Sequence, residues 1–301
     1  MYFIESIHKY YKSLEDLEKR NTSPYISGSK IAELFSNPFD EEYWSTYKAY
    51  ERFIGNFHGL DKDDVDSRKQ LMRNLRKSVN VRQLNDPVLF TRLNIYLFLT
   101  KNNLNEINDI KSKIKLEWKE ENKKSLIKGS KYHEEKEKES IDRGWETNPI
   151  NPFNNKRYKL IEHSKWITDD IKHSFIDLNN LNPGFYAEIV VHWNNYIGTI
   201  DKLFVDDNKT IYISDYKTNK ELKLSNNFQK MLNPVNHLDD CNYNHYCLQL
   251  SFYGWILEKY GYKLNGLMLE HYEEPYNLPY LKKEINNITS YLELDSLLGT
   301  N

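Results

Sequence analysis

Along residues 1–125 the apolar positions recur mostly at helical spacing, and beyond residue 129 they shift toward alternation. Ile31, Leu34 and Phe35 stand at i, i+3 and i+4, which makes one face of a helix apolar, and Ser27 or Ser29 is placed to cap it. Thr22-Ser23-Pro24 breaks a helix before it and Asn37-Pro38 closes it. Further helices are expected over 44–57, 67–75 and 86–99, and another from Leu104 into a lysine-rich segment. After Gly129 a charged helix carries His133 to about residue 140, followed by the loop TNPINPFNNKRY and a short helix near 167–175. Asn182-Pro183-Gly184 is a turn. Three strand-like runs follow, at 185–193, 196–205 and 210–217, joined by Asn194-Asn195 and by Asp206-Asp207-Asn208-Lys209. That turn chemistry predicts an antiparallel meander. A helix over 242–260, stopped by Gly261, and a fourth strand over 264–271 complete the pattern. The order helix, three strands, helix, strand predicts a mixed α/β (α+β) unit over 126–275, with a helical region at 1–125 and a C-terminal extension at 276–301.

Composition narrows the class. With 301 residues, 39% hydrophobic and 14% aromatic including 23 tyrosines, the chain has the material for a sizeable core and is not a disordered one. The longest apolar stretch, 88–99, is interrupted by Thr91, Arg92 and Asn94, so no membrane span is expected. The start MYFIESIHKYYKS lacks a signal-peptide core, and two cysteines suit a reducing compartment, so a cytoplasmic location is expected. Richness in Asn, Lys, Ile and Tyr suits an AT-rich genome, that of a bacterium or of a phage in its host. A net charge of −2 names no polyanionic partner, but 111–131 holds eight lysines against three glutamates. Such a segment attracts phosphates within a Debye length of about 8 Å, or is simply a solvated helix face.

The candidate chemistry lies in the meander. Strand alternation sets Asp215 and Lys217 on one face with Ile211 and Ile213, where an apolar surface ends. Asp201 lies in the preceding strand after Gly198, and Glu188 is the only acid of 185–193, so three adjacent strands each bring one acid. Clustered carboxylates suit a hard divalent cation, Mg²⁺ or Mn²⁺, which serves phosphodiester hydrolysis, and a lysine beside it can orient or deprotonate the water, or stabilise charge on phosphorus. The plainer alternative is a hairpin with cross-strand ion pairs. A zinc site from His237, Cys241, His245 and Cys247 lacks standard finger spacing, and DKDDVD at 61–66 has Asp66 where a calcium loop needs glycine. No Gly-rich phosphate loop or ATPase motif is present, so no nucleotide cofactor is expected.

These residues also carry a resemblance. Gly198-Thr199-Ile200-Asp201 followed by Ile213-Ser214-Asp215-Tyr216-Lys217-Thr218 resembles the core of the PD-(D/E)XK nuclease superfamily, in its RecB-like branch, whose signature is GxxD and then a strand ending DYKT. Upstream, Gly129-Ser130-Lys131-Tyr132-His133 is similar to the branch's first motif, a helix presenting a histidine to the metal. Downstream, Gln249 and Tyr253 are similar to its QxxxY motif. The resemblance covers 129–273 and implies a restriction-endonuclease-like fold. It implies one or two Mg²⁺ or Mn²⁺ ions held by His133, Asp201, Asp215 and the Tyr216 backbone carbonyl. Lys217 would serve the attacking water, Glu188 would be an additional acid of the metal site or its water shell, and Lys131, Tyr132, Gln249 and Tyr253 would contact substrate or brace the site. An iron–sulfur subgroup of the branch carries four cysteines; Cys241 and Cys247 are alone here, so no cluster is expected. The implied activity is a metal-dependent DNA exonuclease acting on single-stranded or linear ends in repair, replication or recombination, with 111–131 and the N-terminal helices guiding the strand. A structure-specific endonuclease and a nucleic-acid-binding subunit without turnover are the rivals.

Overall fold

The turn signals between residues 184 and 217 produce the hairpins they predict. A computed structural model describes residues 1–4, 9–19, 25–57, 59–61, 64–77, 103–272 and 274–298. The helix expected over 86–99 and the Thr22-Ser23-Pro24 break lie outside them. In chain order the elements are β1 (Tyr2–Ile4), β2 (Lys9–Tyr11), α1 (Leu14–Glu18), β3 (Ile26–Ser27), α2 (Gly28–Leu34), α3 (Glu41–Phe57), α4 (Val65–Lys77) and α5 (Leu104–Thr147). They continue with β4 (Ser164–Trp166), β5 (Ile171–Ser174), β6 (Gly184–Trp193), β7 (Tyr196–Val205), β8 (Thr210–Lys217), α6 (Asn242–Glu258), β9 (Lys263–His271), β10 (Glu274–Leu278) and α7 (Lys282–Leu298). The protein is of mixed α/β class, and among the described residues no helix is long and apolar enough to cross a membrane.

Residues 1–37 and 128–301 form one unit and 38–127 another. In the first, β6, β7 and β8 are the antiparallel meander, β9 adds parallel to β8, and β10 pairs antiparallel with β9. Helix α6 makes the crossover and is buried on all sides, with every residue from Cys247 to Leu257 buried except the half-buried Gln249, as expected of a central helix. It packs with Ile31 of α2 and Phe35 at its C-cap, Ile285 and Ile288 of α7, and the β-branched residues of one sheet face. The opposite sheet face carries a second cluster around Phe185, Ala187, Phe204 and Tyr212, with Tyr158 and Leu160.

Three expectations need correcting. The stretch 167–175 is not a helix but the turn and second strand of the β4–β5 hairpin. Thr168 Oγ1 accepts the Ile171 N–H at 3.1 Å, a local alternative to helical bonding that favours the turn, and burial alternates along β5. The N-terminus is not helical: β1 pairs with β2 and with β5 (Tyr2↔His173, Ile4↔Ile171), so its aromatic and β-branched residues find a strand partner far away in sequence. Gly129 does not separate two helices either. Helix α5 runs through it, because a mid-helix glycine costs only about 1 kcal/mol relative to alanine. The predicted cap holds: Ser27 Oγ accepts the Lys30 N–H at 3.2 Å at the start of α2.

The unit of residues 38–127 is helical. Ala49, Tyr50, Phe53 and Ile54 of α3 pack with Met72 of α4 and with Ile107 and Ile114 of α5. Within it Lys111 and Lys115 pair with Glu42, and Arg52 with Glu117 at 2.7 Å, so part of the lysine-rich segment is neutralised locally.

Candidate metal centre

The site sits where the sheet forks. One edge of β7 is taken along its whole length by β6. The other edge is shared: its C-terminal half pairs with β8 from Lys202↔Ser214 to Val205↔Ile211, and its first residues pair in parallel with β3 (Ile26↔Tyr196, Ser27↔Ile197). Residues 198–201 of that edge join neither ladder. Two side chains fill the gap. Asp201 Oδ2 accepts the Tyr216 N–H at 2.8 Å, taking the place of the next ladder bond. The Tyr253 ring lies against Gly198 and Gly28, where a Cβ would stand only 2.2 and 2.4 Å from its Cε1. Glycine is required at both positions by this close approach.

A second irregularity shapes the acids. Tyr186, Ile189 and Val191 share the α6-side core, as do Ile200, Leu203 and Val205, while Phe185, Ala187 and Phe204 face the other way. Strict alternation therefore slips by one residue at Glu188 and at Asp201, which oppose each other between Ala187↔Lys202 and Ile189↔Ile200. Glu188 absorbs the slip with a left-handed backbone, φ +53°, in the middle of a strand. Such strain, about 1–3 kcal/mol for a residue with a side chain, is a feature of functional sites.

His133, Glu188 and Asp201 converge, and their ligand atoms all lie within 4.8 Å of one another. His133 Nδ1 is 3.4 Å from Asp201 Oδ2, and the ring is hydrogen bonded to the Tyr216 backbone. Ligands on opposite sides of one Mg²⁺ lie about 4.2 Å apart at the usual bond lengths, so the set closes on an ion with a small side-chain adjustment. The two carboxylates are donors of the kind that Mg²⁺ and Mn²⁺ favour, and the imidazole is one that suits the later transition ions. Burial, and then the Lys217 charge, lower the His133 pKa below its ordinary value, so the ring is neutral and fit to ligate at neutral pH. Burial first, then Asp215 and Glu188, push the Asp201 carboxyl well above the usual carboxylate range.

Lys217 closes the group. Its ammonium donates to Asp215 Oδ2, and both residues are largely buried. Burial alone would lower its pKa, but Asp215 and Asp201 outweigh this and raise it, so Lys217 keeps its proton. Asp215, expected as a metal ligand, is paired with Lys217 beside the cluster, and Glu188, expected as an additional acid, stands with His133 and Asp201. Tyr132 meets the Tyr216 ring edge-on with centroids 6.0 Å apart. Lys131 is 74% exposed and pairs with Glu135 at 3.7 Å, outside the cluster. Gln249 Nε2 donates to Tyr253 Oη at 3.0 Å, and the Tyr253 side chain is buried, so this pair braces the fork.

Two neighbours were not singled out from sequence. Lys217 Nζ lies 5.3 Å from the Tyr246 ring centroid, and Tyr246 precedes Gln249 and Tyr253 at i and i+3, i+7 spacing, a legible signal. Lys202 sits 4.3 Å over the Tyr216 ring and pairs with Glu270, which accepts from Ser214 at 2.6 Å. That network crosses three strands and has no sequence signature. The residues of the dismissed zinc set go elsewhere: His245 bonds Asp240 at 2.7 Å, His237 meets Glu284 at 3.2 Å, and both cysteines are buried thiols.

The Asp201 proton has a consequence for stability. A raised carboxyl pKa means that the folded state holds the proton more tightly than the unfolded chain. The associated stability is complete below the unfolded value, about pH 4, and is lost as pH rises through the folded pKa. In EDTA at pH 7, Asp201→Asn is therefore expected to be more stable than the parent by on the order of 1–2 kcal/mol. The gain should vanish near pH 4. Urea unfolding at the two pH values checks this, and an equal difference at both would remove the acid-repulsion account.

Comparison with protein families, curated proteins and solved structures gives no match for this chain.

Proposed function

We propose that the protein is a metal-dependent nuclease hydrolysing DNA phosphodiester bonds, with a restriction-endonuclease-like core of the RecB-like kind, acting in the cytoplasm on single-stranded or free-ended DNA. The observation that carries the reading is the convergence of His133, Glu188 and Asp201 at the sheet fork with the Asp215–Lys217 pair beside them. An ordinary hairpin ion pair would not require a left-handed glutamate, nor a buried acid whose carboxyl is pushed up by burial and by neighbouring Asp215 and Glu188. The helix, three-strand, helix, strand order supports the same reading.

The chain's own groups divide the work. Glu188, Asp201 and His133 would hold Mg²⁺ or Mn²⁺, which when bound supplies Lewis acidity at a phosphate oxygen and acidifies water. The Tyr216 N–H fixes the Asp201 carboxylate, and its backbone bond to His133 fixes the ring. Lys217, kept protonated, offers N–H groups to a non-bridging phosphate oxygen as charge gathers on phosphorus. Asp215 orients that ammonium. In this reading Lys217 orients the attacking water and stabilises charge on the phosphate.

The test uses end-labelled linear single strands and closed single-stranded circles, each with Mn²⁺ or Mg²⁺ and then with EDTA. Metal-dependent loss of the linear strand alone is the expected result. Cutting of the circles would turn the assignment to an endonuclease, and binding without cleavage of either would leave a nucleic-acid-binding subunit.

A further inference from the structure

The loop that leaves β8 immediately after Lys217 begins at the metal centre. Asn219 takes a bond from Tyr246 Oη at 3.1 Å, and its carbonyl meets His271 Nε2 at 2.7 Å. The loop is then stitched down on both sides. Lys223 N–H donates to Asn242 Oδ1 at 2.7 Å, Asn242 Nδ2 donates to the Glu221 carbonyl at 2.7 Å, and Met231 N–H donates to the Leu238 carbonyl at 2.9 Å, with the Met231 side chain buried. At the tip Asn226 holds a tight turn. Its Oδ1 accepts the N–H groups of Phe228 and Gln229 at 3.1 and 3.3 Å, while its own N–H and Nδ2 are bound to Asp239 and the Asp240 carbonyl at 3.1 and 2.7 Å.

This turn holds Phe228 out into water with 95% of its surface exposed. A flexible loop could fold such a ring away; here the backbone on both sides is tied. Exposed Lys220 and Lys223 stand on the same loop, with the exposed Glu221 between them. A flat apolar ring on a tied backbone, with lysines on the same loop and an origin at the end of the Lys217 strand, matches what binds single-stranded DNA: a stacking surface for a base and cations for its phosphates. Holding the loop backbone in place beforehand lowers the ordering cost at the moment of binding.

We infer that Phe228 is a base-stacking post that seats a nucleobase of the single strand entering the metal centre. This rests on the nuclease reading above. Phe228→Ala touches no buried contact, so it leaves the fold intact and changes the strand's seating alone.

The experiment measures binding of the full chain to a fluorescent single-stranded oligonucleotide and to an abasic strand of equal length, in EDTA to prevent cleavage. Phe228→Ala is expected to weaken binding of the base-bearing strand about tenfold and to leave the abasic strand unchanged. Phe228→Trp should restore affinity and add fluorescence quenching by DNA over that of the parent. If the parent binds and cuts but Phe228→Ala binds equally well, or if that substitution instead splits an oligomer in sedimentation, the stacking assignment falls alone. If the parent neither binds nor cuts any strand, the nuclease reading falls and takes this inference with it.

Discussion

Lys217→Ala is expected to lower metal-dependent cleavage by about 10³-fold or more while the protein still binds DNA. Two effects add. The ammonium that would meet the developing charge is lost, a contribution of about 10²–10³ at sites of this type. Asp215 also loses the cation that orients and neutralises it. Because Asp215 is buried, the variant keeps an unpaired acid beside Asp201 and should be destabilised by about 3 kcal/mol in EDTA. Circular dichroism and a denaturation curve must therefore accompany the single-turnover rate, so that lost folding is not read as lost chemistry. A folded Lys217→Ala protein that cuts within tenfold of the parent would show that the lysine at the end of β8 is only half of a structural ion pair.

The second large effect falls on a residue with no functional group. Gly198→Ala would place a Cβ 2.2 Å from Tyr253 Cε1 and 2.9 Å from Cδ1. Tyr253 cannot retreat, since the same ring edge already lies against Gly28 and its hydroxyl is tied to Gln249. The expected cost is about 3 kcal/mol, the upper end for overpacking a tight core. Activity should fall too, because Gly198 and Asp201 share the stretch of β7 that joins neither the β3 nor the β8 ladder, and any shift of that strand moves the carboxylate off the Tyr216 N–H. A double-mutant cycle isolates the cause. On a Tyr253→Ala background the clashing ring is gone, so the added cost of Gly198→Ala should shrink below about 1 kcal/mol. Equal costs on both backgrounds would mean that the ring is not what demands glycine.

The fold and the site were legible to different depths. The hairpins around Asn194-Asn195 and Asp206–Lys209, the α6 helix and the shared face of Asp215 and Lys217 follow from turn chemistry and from periods of 2 and 3.6, which act between residues close in sequence. His133, Asp201 and Glu188 could be named as acids and a histidine on neighbouring elements, and the structure does bring their ligand atoms together. The hairpin at 164–174 was misread because apolar residues around a polar turn suit a short helix equally well; the pairing of β5 with β1, from the other end of the chain, decided it.

What the amino-acid sequence determined by itself is thus the local grammar: which stretches are strands, where they turn, and which side of a strand an acid or lysine occupies. Tertiary structure alone decided that β8 and β3 share one edge of β7 and leave 198–201 open, that Glu188 adopts a left-handed backbone there, and that Tyr253 packs against two glycines distant in sequence. The reason is physical. Propensity and turn chemistry are set within a few residues, whereas an open sheet edge is claimed by whichever distant segment buries it best, and the unpaired groups left at that edge are the ones that gather the acids into a site.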